Sequence, residues 1–343
     1  MPALPLAKLI PLGLTLALGW WLVIRMQQPH WSASAQAELG SLIPWFCAVL
    51  LYLRWADRPP VQPPSRLVTI LCVFSALGSA LGLALLQPIF EANSDWRPPA
   101  QAAALCGVTG TFALATLIGG PKWLRHFGVP IALFLAAAPW PWRFEKVFIQ
   151  QNLMGFNATL CVEILQWIGF EATKQGALIS LPVGVLEVEE ACSGIRSLQA
   201  SVALALVAGE ACRSPVTIRI AFVCVAVLVA LIGNAIRILI LAVLASTRGM
   251  SAIDHLHDPA GYAILAASLT TVIIMGAWSL RRHPIPAPPP PSVRPPARFP
   301  QSRLFSGGLI AVAGLWLASL IGTEAWYRSN ESPSPDLSNA WTF

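Results

Sequence analysis

Nine apolar stretches succeed one another along this chain, at about 9–24, 40–56, 67–90, 101–120, 127–142, 195–212, 216–236, 260–280 and 304–322. Each approaches the roughly twenty residues that a helix needs to cross the hydrocarbon core of a bilayer. A chain built this way has few choices, because backbone polar groups in lipid must be satisfied within each segment. The composition agrees: 56% of residues are hydrophobic and 11% charged, against about a quarter charged in soluble domains. The expected class is an all-α polytopic transmembrane helix bundle of about nine spans. The first stretch lacks a small-residue cleavage site followed by a soluble chain, so it is expected to remain as a span. No internal repeat is evident.

Charge in the short loops orients the bundle. Lys8, Arg54, Arg58, Arg66, Lys122, Arg125, Arg213, Arg219, Arg281, Arg282, Arg294, Arg298 and Arg303 fall on one side by alternation, with Asp57 and Glu210 as the acidic exceptions. By the positive-inside rule that side is cytoplasmic. The basic balance of +6 therefore reflects topology, and nucleic acid is not an expected partner.

The opposite side receives the long segment 143–194 and the loop 247–259. Segment 149–170 reads as an amphipathic helix lying at the outer interface or re-entering the membrane, with Leu153, Phe156, Leu160, Ile164 and Ile168 near one face. "ALISLPVGVLEVEEA" follows and reads as a short extended hairpin. The proline-rich stretch 283–303 is expected to be an extended linker, and the tail from Thr323 a polar end outside. The resulting division is 1–142 for N-terminal helices, 143–282 for a catalytic core, 283–303 for the linker and 304–343 for the last helix and tail.

Three polar features interrupt the oil. The first is "VEEACSGIRSL". Cys192 stands just before the apolar run that opens at Ile195, where a helix N-terminus stabilises a thiolate. Ser193 suits an N-cap. Glu189 and Glu190 raise the thiol pKa, so a cation must compensate. Cys47, Cys72, Cys106 and Cys224 lie inside apolar spans and Cys212 at a span end, where cysteine is a small hydrophobe. A Cys161–Cys192 disulfide is disfavoured, because Cys161 falls on or near the buried face of the amphipathic helix. The second feature is Arg237 in "GNAIRILILAVLAS". A charge embedded in such a run costs on the order of 3 kcal/mol and marks a site, a paired charge or a snorkelling side chain. Asn234 shares its helical face. The third is "SAIDHLHDPAGYAIL", where Asp254 and Asp258 flank His255 and His257 and bias an imidazole toward acid–base work. No cysteine or histidine spacing completes a metal site, and no cofactor is expected.

The topology places all three features at one membrane face: Cys192 opens the sixth span, Arg237 closes the seventh and His257 precedes the eighth. A nucleophile, a cation and an acid–base group together form a constellation for acyl transfer through a thioester. A transporter with an Arg/Asn/His-lined path is the alternative and predicts inverted repeats, which are not evident. A non-catalytic scaffold would leave Cys192 replaceable.

"EACSGIRSL", "NAIRI" and "HDPAG" in this order resemble the core of the exosortase/archaeosortase family of polytopic membrane cysteine transpeptidases, over about 150–280. The resemblance implies that Cys192, Arg237 and His257 are catalytic, with Glu189, Glu190, Arg196, Asn234 and His255 as supporting candidates. Histidine at the third position implies the bacterial type, in the inner membrane with the site at its extracytoplasmic face. The implied partners are membrane lipids and secreted proteins ending in a Pro-Glu-Pro-type motif, a membrane helix and a basic tail. The linker and ninth span depart from a minimal eight-span core.

Overall fold

A computed structural model of the chain describes residues 10–33, 37–176, 178–187, 195–285 and 303–330, with backbone alone at 37, 145, 148–150, 187, 195–196, 254–258 and 303–306. The helices are α1 (Ile10–Ala33), α2 (Ile43–Trp55), α3 (Arg66–Ala92), α4 (Arg97–Gly119), α5 (Pro121–Ala132), the single turn α6 (Trp142–Phe144), α7 (Gly155–Trp167), α8 (Ile195–Ala211), α9 (Val216–Arg248), α10 (Ile253–Arg282) and α11 (Arg303–Asn330). Strands β1 (Thr173–Gln175), β2 (Leu178–Leu181) and β3 (Gly184–Glu187) form one antiparallel sheet in that order.

Among the described residues six helices are long and apolar enough to cross a membrane: α1, α3, α4, α9, the part of α10 from Pro259, and the part of α11 from Gly307. The chain is thus an all-α, multi-pass bundle. The remaining three expected spans are shorter helices. α2 has 13 residues, extended at its start by a 3₁₀ stretch over Ala37–Leu42. α5 has 12, with Pro130 inside, and continues as a 3₁₀ stretch over Leu133–Ala137. α8 has 17.

Two compact units divide the chain. The first comprises most of α1 with α3, α4 and α11. Its helices approach closely through buried alanines such as Ala80, Ala84, Ala100, Ala103 and Ala104, because small residues let helices in lipid make backbone-level contact. Trp316 Nε1 donates to the Ala80 carbonyl (2.8 Å) and Ser319 Oγ to the Ala84 carbonyl (2.6 Å), which seats α11 along α3.

The second unit holds α2, most of α5, and everything from α6 to α10. One end is fastened by ion pairs. Glu210, buried on α8, pairs with Arg54 of α2 and Arg219 of α9. Asp57 pairs with Arg213, whose Nη2 donates to Oδ1 at 2.8 Å. The two acidic exceptions in the basic loops are therefore both spent on arginines. Arg213 sits at φ 52° in the α8–α9 turn, a left-handed conformation that an arginine adopts only at a cost.

The other end is a small module with its own core. Met154, Ala158, Cys161, Val162 and Leu165 meet Ile179, Leu181 and Leu186 of the sheet and Ile238, Leu241, Ala242 and Ala245 of α9. The expected hairpin is present as β2–β3, with Ile179 opposite Leu186, and β1 adds a strand the sequence did not announce. The expected helix at 149–170 is a π-helical stretch, Glu145–Met154, running into α7. Its buried face differs from the expected one. Phe156 and Ile168 are exposed, while Asn157, Ala158, Cys161, Val162 and Leu165 are buried. Leu153, Leu160 and Ile164 are half-buried, and the face that packs in one core with Ala242 and Ala245 of α9 is the one carrying Ala158, Cys161, Val162 and Leu165.

Candidate active site

α9 carries the first candidate. At 1.5 Å per residue its 33 residues run about 50 Å, far beyond the ~30 Å hydrocarbon core. Its exposed large residues, Val216, Ile220, Leu228, Ile232, Ile236 and Ile240, mark one stripe. The opposite stripe is buried: Phe222, Ala226, Ala230, Asn234, Arg237, Ile238, Leu241, Ala242 and Ala245. Its lower part packs in a cluster with Ala205 of α8 and Val272 of α10. Its upper part enters the α7–sheet core. Asn234 and Arg237 occupy the junction between these two apolar clusters.

Arg237 does not close its helix, as the sequence suggested; α9 continues for eleven residues to Arg248 because the module core gives that extension an apolar surface to bury. Nor does it snorkel. It is 7% exposed, inside the unit. Asn234 is 1% exposed, and among the described residues neither its amide oxygen nor its amide nitrogen has a hydrogen-bond partner. A buried amide left unsatisfied is costly, so this position is not explained by folding alone.

The expected loop 247–259 is mostly helix. Gly249 ends α9 at φ 88°, a 3₁₀ turn covers Met250–Ala252, and α10 begins at Ile253. Ile253 is drawn into the module core, which starts the helix before the polar run rather than after it. Residues 254–258 therefore lie in the first turns of α10.

α9 and α10 approach tightly along one line. A Cβ placed on Gly233 would lie 3.0 Å from Ile264 Cγ2, and one on Gly261 would lie 3.7 Å from Arg237 Cζ. Glycine at 261 leaves the space over the guanidinium open. Position 257 is one turn before Gly261 and about 40° from it around the helix, whereas position 255 is about 120° away. Position 257 thus shares the α10 face that Gly261 turns to Arg237, and 255 does not. Position 254 falls within about 20° of Gly261 and joins that face.

Cys192, Glu189 and Glu190 lie outside the described residues, and so do Ser193 and Gly194; Arg196 is described by backbone alone, in the first turn of α8. Cys161 is a free thiol at 3% exposure, pushed up to about 12 by burial in the module core, and is not a nucleophile at neutral pH. Gly233 and the buried Ser268, whose hydroxyl has no partner among the described residues, line the same helix pair and carried no signal in the sequence, whereas Gly261 is the glycine of HDPAG. Among the described residues no three metal-ligating side chains gather.

Comparison with curated proteins and with solved structures finds no match. A family model described as transmembrane exosortase matches residues 31–276. That span takes in the whole α7–sheet module, α8, α9 and the turns of α10 that face Arg237. The chain is a multi-pass membrane protein and belongs to the transmembrane exosortase family, which is known for cysteine transpeptidases that process sorting signals.

Proposed function

We propose that this protein is a membrane cysteine transpeptidase that cleaves C-terminal sorting signals of secreted proteins through a thioester on Cys192. The observation that supports this most is the buried Asn234–Arg237 face of α9, set against Gly261 of α10 with position 257 one turn away. Chain geometry supports the place of the thiol. α8 and α9 are joined by the turn at 212–215. Counted from that turn, Ile195 stands about 24 Å along α8 and Arg237 about 32 Å along α9. Residues 192–194 reach about 10 Å when extended, enough to bridge the difference.

In this reading the Cys192 thiolate attacks the scissile carbonyl. Arg237 donates its planar fork of N–H groups to the developing oxyanion, and the Asn234 amide adds a donor or acceptor to the same pocket. His257 protonates the leaving amine, then deprotonates the incoming nucleophile. Asp254, three residues before His257 on the same face, orients the imidazole. Glu189 or Glu190 orients Arg196 or Arg237. The site works at the extracytoplasmic face of the bacterial inner membrane, on substrates ending in a Pro-Glu-Pro-type motif, a membrane helix and a basic tail.

The test is where each variant stalls, read as a gel shift of the covalent substrate–enzyme adduct. His257→Ala forms the adduct slowly, for want of an acid for the leaving amine, and the adduct that forms persists, because release needs a deprotonated nucleophile. Arg237→Lys keeps the charge but loses the fork, so the adduct barely forms. His255→Ala stays close to wild type. A dead His255→Ala beside an active His257→Ala, or a fully active Arg237→Lys, overturns these assignments.

A further inference from the structure

The first unit contains a cavity of about 670 Å³ bounded by α1, α3, α4 and α11. Its wall runs from Pro63, Pro64 and Thr69 at one end to Leu83, roughly 20 Å along α3. The family match stops at 31 and 276, so α11 and most of α1 lie outside it, yet they supply Thr15, Trp20, Leu309 and Trp316 to the wall.

The wall is mostly apolar and offers little to water. Thr15 Oγ1 donates to the Pro11 and Leu309 carbonyls. Thr69 Oγ1 donates to the Ser65 carbonyl, Thr111 Oγ1 to the Gly107 carbonyl, and Ser79 is engaged with Thr109. Both indoles are committed, Trp20 to Thr111 and Trp316 to the Ala80 carbonyl. A water needs two or more polar partners to occupy a cavity. With every hydroxyl proton committed internally and the rest of the wall apolar, the occupant that fits is a hydrocarbon chain.

Charge selects its headgroup. Arg66 begins α3 directly after the Pro63–Pro64 end of the wall. Lys122 and Arg125 follow Gly120, which abuts the strap leading to Pro63: the Gln62 N–H donates to the Gly119 carbonyl at 3.2 Å, and a Cβ on Gly120 would lie 2.2 Å from the Gln62 oxygen. All three basic side chains are exposed. The described acidic residues of this unit, Glu91, Asp95 and Glu324, lie at the other end of α3 and α11. We propose that this cavity holds an acyl chain of an anionic phospholipid, with its phosphate among Arg66, Lys122 and Arg125.

The experiment uses the full chain in nanodiscs that contain phosphatidylglycerol with a photoactivatable acyl chain, or phosphatidylcholine with the same chain. Adducts are mapped by peptide mass spectrometry. The expected result is labelling of cavity positions such as Leu77, Leu114 and Val312, preferring the anionic lipid on the order of fivefold or more, about what one basic side chain contributes near a membrane surface. Ala76→Phe, which fills the cavity, should cut those adducts. Neutralising Arg66, Lys122 and Arg125 to Gln, all at exposed positions, should erase the preference and leave the labelling. Equal labelling by the two lipids in the wild type shows bulk lipid contact and overturns the headgroup assignment. Labelling indifferent to Ala76→Phe, or absent at cavity positions, overturns the chain site itself and leaves a protein segment as its occupant.

Discussion

Asn234→Leu is expected to make the protein more stable and less active. The side chain is 1% exposed and, among the described residues, both ends of its amide are without partners. Each such group costs about 1–3 kcal/mol when buried unsatisfied, so two cost about 2–6 kcal/mol. Leucine copies the branching of asparagine and removes both groups. Its larger volume returns about 1–3 kcal/mol as overpacking. The central balance is a gain of about 2 kcal/mol, which raises the midpoint of thermal unfolding by about 2–4 °C per kcal/mol. If the amide serves a substrate carbonyl or the oxyanion, substrate cleavage falls at least tenfold, the equivalent of about 1.4 kcal/mol in the transition state. Thermal unfolding in nanodiscs and processing of a tagged substrate are measured on the same preparation. A destabilised Asn234→Leu would refute the reasoning, because it would mean that the folded chain itself satisfies the amide. A stabilised and fully active variant would remove Asn234 from the site.

Glu210→Gln leaves Arg54 and Arg219, 15% and 22% exposed, without a counter-charge. It should destabilise the second unit by about 3 kcal/mol, whereas Glu324→Gln, which breaks the exposed pair with Arg328, should change the unfolding midpoint little; equal shifts would contradict the distinction. Cys161 should resist a thiol reagent at pH 8 until the module unfolds, read by peptide mapping, since burial pushes its thiol up to about 12. The sign for stability follows: between about pH 9 and 12 the unfolded thiol has lost its proton and the folded one has kept it, so the module weakens as pH rises through that window. Rapid alkylation of Cys161 in the folded protein at pH 8 would show that the module core is open.

Hydropathy made the long helices legible because burial in lipid demands an unbroken apolar run. It was less informative where proline or a turn shortened the helix, as at Pro130 in α5. The polar run at 254–258 concealed the start of α10, since the residue that fixes it is Ile253, held by the module core, and a single buried isoleucine has no periodic signature. The periodicity of large apolar residues does not give the buried face of α7: Phe156 and Ile168 are exposed, and the face that meets Ala242 and Ala245 mixes Leu165 and Val162 with the small Ala158 and Cys161. Arg237 and Asn234 were legible as polar residues in oil, which lipid penalises. The close approach at Gly233 was not, and Gly261 was legible only as the end of HDPAG, because a close approach of two helices is a property of the pair and not of either sequence.

The central claim is that chemistry begins at Cys192. The direct measurement is cleavage, in cells, of a secreted reporter ending in a Pro-Glu-Pro motif, a membrane helix and a basic tail, with wild-type protein and with Cys192→Ala at matched membrane levels. Processed reporter is expected only with the wild type. Undiminished processing by Cys192→Ala would contradict it.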